Sequence, residues 1–206
     1  MPVITLLTDF GTHDAYVAIM KGVILKINPQ ATIVDITHWI DPQDLRQAAY
    51  TIAGSYRYFP AETVHIVVVD PGVGSRRAIV ALRLEGQTFL APDNGVLSLI
   101  HDKEPIEKIV RVENTDYFLK PVSRTFHGRD VFAPVGAHLS LGLPLDRLGA
   151  QIQSDTLVRL DFVQPRLEKD GRVSGTVIDI DRFGNLITNI DWPFVKRRYP
   201  AAGKDN

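Results

Sequence analysis

The run Val64-His65-Ile66-Val67-Val68-Val69, followed at once by Asp70-Pro71-Gly72-Val73-Gly74, decides how this chain folds. A short, largely apolar run without a regular polar face marks a strand buried on both sides, as in a parallel sheet. Val3 to Leu7 reads the same way, ending at Thr8-Asp9 and turning at Gly11, and so does Thr32 to Ile36. Asp14 to Ile27 separates the first two runs as a helix that is apolar nearly all round, stopped by Asn28-Pro29. Asp41-Pro42 reads as a second helix start, with Asp as N-cap and Pro at the first helical position. Leu45, Ala48, Ala49, Ile52, Ala53 and Tyr56 then fall on one helical face, closed by Phe59-Pro60. A β-α-β-α-β order predicts a parallel sheet with right-handed crossovers.

Beyond Gly74 the pattern changes. Ala78 to Leu84 and Thr88 to Ala91 flank Glu85-Gly86-Gln87 as a hairpin. Gly95 to Ile100 reads as a short helix, Ile106 to Val112 as a strand and Val131 to Leu141 as a helix. The character shifts again near residues 153–168. Asp170-Gly171 is a hairpin signal, and Arg172 to Ile180 and Leu186 to Ile190 are β-rich, interrupted by Phe183-Gly184-Asn185. The fold class is therefore α/β: an N-terminal domain, 1–160, with a mainly parallel sheet flanked by helices, then a small β-domain, 161–206. From Lys196-Arg197-Arg198 to Asn206 the pattern is lost, and a mobile end is expected.

Composition narrows the function classes. A net charge of −1 lacks the basic excess of a nucleic-acid footprint. With no cysteine there is neither a thiol nucleophile nor a zinc–thiolate site. No apolar run approaches the ~20 residues that span a bilayer, and the N-terminus does not read as a signal peptide. A cytoplasmic protein with no nucleic-acid or membrane partner is expected.

Three ionisable residues sit in glycine-containing bends: Asp9, Asp70 and His127. Strand ends of this kind carry the ligand chemistry of open α/β sheets. A carboxylate at Asp9 can accept two hydrogen bonds from a vicinal diol such as ribose, or it can cap the following helix. The segment from Asp70 to Arg77 is not a P-loop, since the Gly-Lys-Ser/Thr ending is absent. It offers a carboxylate and two arginines beside a flexible bend, or simply a tight turn with a surface ion pair. His127 with an Asp and an Arg could hold and polarise water. Asp9, Asp70 and His127 could equally ligate a divalent metal, although no fixed ligand spacing supports it.

Five segments in order resemble one family: Thr8-Asp9-Phe10-Gly11 with Asp14 and Tyr16-Val17; Asp35-Ile36-Thr37-His38; Val68 to Gly74; Ala91-Pro92-Asp93-Asn94-Gly95; and Asp181-Arg182-Phe183-Gly184-Asn185. Together they are similar to the S-adenosyl-L-methionine hydrolases that form adenosine. These are the hydroxide-adenosyltransferase branch of the superfamily that includes the fluorinating and chlorinating enzymes. The resemblance runs from about Pro2 to Ile190. It implies in-line attack of water on the ribose 5′ carbon of S-adenosyl-L-methionine, releasing L-methionine and adenosine, with no cofactor and no metal. It implies a water-activating set at Asp70, Arg77 and His127, with Arg76 the competing neighbour. It implies substrate binding by Asp9, Asp14, Asp181, Phe183 and Asn185. Halogenating relatives carry Tyr where Asp70 stands, so the resemblance implies water rather than halide as nucleophile. It also implies a homotrimer with sites between subunits. Family members run well past Ile190, so a truncated C-terminal β-domain is expected here. Two other readings stand beside this one: a non-catalytic binder of adenosine or S-adenosyl-L-methionine, and a metal-dependent hydrolase built on Asp9, Asp70 and His127.

Overall fold

The computed structural model describes residues 2–101 and 105–199. The chain divides between Leu160 and Asp161 into two compact units. In the first, β1 (Val3–Thr8), α1 (Tyr16–Ile27), β2 (Thr32–Thr37), α2 (Leu45–Ser55) and β3 (Val64–Val68) follow in the order read from the sequence. Then come β4 (Ile79–Leu84), β5 (Gln87–Pro92), α3 (Ser98–His101), β6 (Lys108–Arg111) and α4 (Ala133–Ser140). One six-stranded sheet has the order β2-β1-β3-β5-β4-β6. The β2-β1, β1-β3 and β3-β5 pairs are parallel, and β4 runs antiparallel to both its neighbours. Sequential hairpin strands must alternate in direction, which is why the sheet is mixed beyond β5. Glu85 and Gly86, both at positive φ, make the two-residue turn of that hairpin.

Two apolar clusters cover the two faces of the sheet. Val17, Met20 and Ile24 of α1 pack with Val135 and Leu139 of α4 against Ile4, Leu6 and Ile66. Ala48 and Ile52 of α2 pack with Ile100 of α3 against Leu7, Val67 and Phe89. The two crossovers therefore lie on opposite faces, and the order β2-β1-β3 reverses the direction of winding at β1. The carboxyl ends of β1 and β3 thus flank a topological switch point, where such sheets bind ligands.

Several sequence expectations are corrected. β2 is an edge strand, half-exposed along its length, rather than a buried one. α2 begins at Leu45, capped by the Asp44 side chain on the Arg46 and Gln47 amides; Asp41 is not its N-cap. Gln43 intervenes at φ 66°, a left-handed turn that a helix cannot contain. α1 begins at Tyr16 with no side-chain cap, so neither Asp9 nor Asp14 caps it. The helix expected from Val131 opens instead as a wide π turn, Gly128–Phe132, before α4.

The second unit carries β7 (Arg166–Leu167) with β8 (Val173–Ser174) and β9 (Val177–Ile180) with β10 (Leu186–Thr188), both pairs antiparallel. α5 (Trp192–Arg198) follows, so Lys196, Arg197 and Arg198 are helical rather than patternless. Asp191 caps its Phe194 amide, and three cations in the last turn complement the helix dipole. Residues 200–206 of the expected mobile end lie outside the described residues. Among the described residues no helix is long and apolar enough to cross a membrane.

Inside the sheet, His65 of β3 is fully buried between Thr5 and Gln87, with Nδ1 at 2.8 Å from Thr5 Oγ1 and Nε2 at 3.2 Å from Gln87 Oε1. Burial pushes its pKa down to about 4, below an ordinary value of 6.5. Between those values the unfolded chain binds a proton that the folded chain does not. Stability is therefore expected to fall as pH drops through that window, by about 3 kcal/mol in all. Urea unfolding at neutral pH and near pH ~4 measures it; an equal loss in His65→Leu would show that other groups carry the dependence.

Candidate active site

Asp9 directly follows β1 and Asp70 lies two residues beyond the end of β3, so adjacent parallel strands deliver both carboxylates to one edge of the sheet. His127 arrives from the other direction, at the start of the π turn that leads into α4. All three line one cavity of about 300 Å³. Its wall is aromatic: Phe10, Tyr16 and Phe126 meet with ring centroids 5.0 to 6.1 Å apart. Gly128 completes the wall because a Cβ there would lie 3.1 Å from both the Met20 sulfur and the Phe126 ring.

Asp70 and Arg77 form the centre. The Arg77 Nε donates to Asp70 Oδ1 at 2.9 Å and Oδ2 at 2.8 Å, and Nη2 donates to Oδ2 as well. Both side chains are buried, at 4% and 11% exposure, so this is a desolvated, multiply bonded pair. The guanidinium also lies 5.9 Å from the Phe132 ring centroid. Arg76 is exposed, so the two adjacent arginines are distinguished: Arg77 turns inward. Gly74 holds the loop in place. At φ 75° it is in the left-handed region, and a Cβ there would sit 2.2 Å from the Arg124 carbonyl oxygen. The 70–77 loop and the segment before His127 can approach this closely only at glycine.

Arg77 Nη2 is 3.0 Å from His127 Nδ1. A guanidinium only donates, so Nδ1 accepts and the remaining ring proton belongs on Nε2. Burial, followed by the Arg77 charge, lowers the His127 pKa; Asp70, Asp130 and the Ser123 backbone pull the other way. His127 is therefore neutral at neutral pH. Asp130, buried behind it, accepts the Ser123 amide at 2.8 Å and pairs with Arg129, which fixes the turn that carries His127. A second hollow of about 590 Å³ is lined by Arg77 and His127, so His127 borders both spaces while Arg77 faces only this one.

Asp9 accepts the Gln43 amide at 2.9 Å. The left-handed turn that displaced the start of α2 thus serves to fix this carboxylate. Asp14 is exposed in the loop ahead of α1 and does not line the cavity. Asp181, Phe183 and Asn185 belong to the second unit. There Asp181 accepts the Phe183 and Asn185 amides and the Asn185 side chain, and Phe183 is 89% exposed. Among the described residues no three His, Asp or Glu side chains are grouped to share a metal ion. The aromatic wall and the Gln43 amide were not read from the sequence. Phe10 and Tyr16 fall in the first resembling segment and Phe126 precedes His127 far along the chain, so no local pattern joins the three rings.

Comparison with known proteins identifies the family. The model of the SAM hydroxide adenosyltransferase N-terminal domain matches residues 4–149. The chain is 40% identical over 186 residues to the (R)-S-adenosyl-L-methionine hydrolase of Salinispora tropica, covering 90% of this chain and 70% of that protein. It is 41% identical over 204 residues to the enzyme of the same name from Methanocaldococcus jannaschii, covering 97% and 71%. The crystal structure of an uncharacterized conserved protein from Thermotoga maritima superposes with a TM-score of 0.90 at 42% identity, covering 95% of this chain and 74% of that one. With a matching domain model over most of its length and relatives of this identity, the chain belongs to the SAM hydroxide adenosyltransferase family.

Proposed function

We propose that this chain hydrolyses S-adenosyl-L-methionine to adenosine and L-methionine, with Asp70, Arg77 and His127 holding the attacking water. The observation that carries the reading is the Asp70–Arg77–His127 chain of hydrogen bonds, whose two ends, Asp70 and His127, line one cavity with Asp9. Asp70 and neutral His127 are the proton acceptors and donors nearest a water held there. Arg77 keeps both oriented and favours hydroxide character in what they bind. Asp9 is the carboxylate for the ribose diol, and the rings of Phe10, Tyr16 and Phe126 supply an apolar wall that excludes bulk water.

The chemistry asks for little more. The oxygen of water forms a bond to the 5′ carbon as the carbon–sulfur bond breaks, the electron pair leaves on sulfur as a neutral thioether, and the water proton passes to the Asp70–His127 pair. Hydroxide and sulfonium lose charge together in the transition state, so a site that desolvates and aligns them gains rate twice. The sulfonium is already an excellent leaving group, and the proposal includes no metal or cofactor.

Asp181, Phe183 and Asn185 are assigned to the substrate pocket under the same proposal, contributed across subunits of a homotrimer. The exposed apolar side chains of the second unit, Ile180, Phe183 and Leu186, support an assembled state. Asp14 is assigned to the rim of the site, and the setting to the cytoplasm. The test is incubation of purified protein with S-adenosyl-L-methionine, a chelator, and chloride present or absent. Adenosine and methionine are expected in each case. Chlorinated adenosine would overturn the nucleophile, loss of activity with chelator would favour the metal reading, and tight binding without turnover would favour the binder.

A further inference from the structure

We infer that Asp35, His38 and Thr8 form a positioning relay that sets the Asp9–Gly11 bend in the cavity, an inference that rests on the hydrolase reading for its effect on turnover. Three observations meet here. First, His38 is buried, and its Nδ1 lies 2.9 Å from Thr8 Oγ1. The Phe10 amide donates to the same Oγ1 at 3.2 Å, so the Thr8 hydroxyl proton is available for His38. Second, His38 Nε2 lies 3.0 Å from Asp35 Oδ1, outside good hydrogen-bond alignment, and among the described residues this ring nitrogen has no better partner. Lys21 Nζ in turn holds the other Asp35 oxygen at 2.5 Å. Third, the Gly11 amide donates to the His38 carbonyl at 2.7 Å. The side chain and the main chain of His38 thus grip the bend on both sides of Asp9 and Phe10.

Strand β2 is irregular where this happens. Its register against β1 slips from Leu6↔Asp35 to Leu7↔Thr37, leaving Ile36 as an extra residue. Such bulges are rare in parallel pairs and re-aim the side chains that follow. A regular strand would put Thr37, not His38, level with Thr8. The same loop then supplies the Gln43 amide to Asp9. The Asp9 bend is thereby tied to the segment that follows β2 at two places, through the Gly11 amide on the His38 carbonyl and the Gln43 amide on the Asp9 carboxylate.

A satisfied core histidine would show the same hydrogen bonds, so the test separates support of the fold from support of the site. Thr8→Val keeps the volume and removes the hydroxyl, whereas Thr8→Ser keeps the hydroxyl. Hydrogen exchange of the segment holding Phe10 and Gly11 is expected to quicken about tenfold in Thr8→Val relative to segments elsewhere. In turnover, KM for S-adenosyl-L-methionine is expected to rise about 10- to 100-fold with kcat changed less than about threefold. Thr8→Ser is expected to restore both. Should Thr8→Val fail to fold, Asp35→Asn on the sheet edge is read by the same two measurements. Unchanged exchange in this segment overturns the relay, and quickened exchange with KM unaltered overturns its role in binding. A wild-type protein that forms no adenosine defeats the hydrolase reading instead. The relay is then decided by exchange together with adenosine affinity measured by calorimetry, where an unaltered affinity overturns it.

Discussion

Asp70→Asn is expected to lower kcat for S-adenosyl-L-methionine hydrolysis about a thousandfold, within the range that a positioned acid–base group contributes. The substitution preserves the side-chain volume and leaves an oxygen to accept from Arg77, so the fold around it should persist. What it removes is the negative charge that accepts the water proton. Adenosine affinity is expected to stay within a few-fold of wild type, because Asp9, the carboxylate proposed for the ribose diol, is held independently by the Gln43 amide. Steady-state kinetics and equilibrium binding of adenosine separate the two quantities. Turnover at the wild-type rate would take Asp70 out of the water-holding role.

Arg77→Met should damage both stability and activity. Asp70 is almost wholly buried, and Arg77 is the side chain that bonds both of its oxygens. Removing one partner of a buried ion pair leaves a desolvated charge and costs about 3–5 kcal/mol. The thermal midpoint is expected to fall by about 6–20 °C for a chain of this size. His127 loses the donor that fixes its Nδ1, so its ring is free to turn and proton transfer suffers as well. Arg77→Lys should recover part of the stability but little of the rate, since an ammonium cannot bond Asp70 and His127 in one plane. Thermal unfolding and kcat measured together check this. An unshifted midpoint would mean that the buried pair is not what holds the 70–77 loop.

The parts of this arrangement that were legible in the sequence are those fixed by local pattern. Three apolar runs and two helical faces gave the order from β1 to β3, and the residues that end β1 and β3 pointed to Asp9 and Asp70. The choice of Arg77 over Arg76 came from resemblance to a family, and the burial of Arg77 gives the physical reason. What local pattern missed was set by distant contacts. Asp41-Pro42 carries a good helix-start signal, yet α2 waits until Leu45 because the Gln43 amide is turned toward Asp9. Edge position does not show in the composition of β2. The π turn after His127 is set by the buried Asp130, whose carboxylate reaches back to Ser123. Asp181, Phe183 and Asn185 were found as a motif, and their hydrogen bonds account only for a local turn in the second unit.

The central claim is that water attacks the ribose 5′ carbon while Asp70 and His127 hold it. Its most direct test is incubation with S-adenosyl-L-methionine in water carrying heavy oxygen, followed by mass spectrometry of the nucleoside. The account predicts adenosine with one heavy oxygen at the 5′ position and unlabelled methionine, and loss of that product in Asp70→Asn. Unlabelled adenosine, a halogenated nucleoside, or labelled product at an undiminished rate in Asp70→Asn would contradict it.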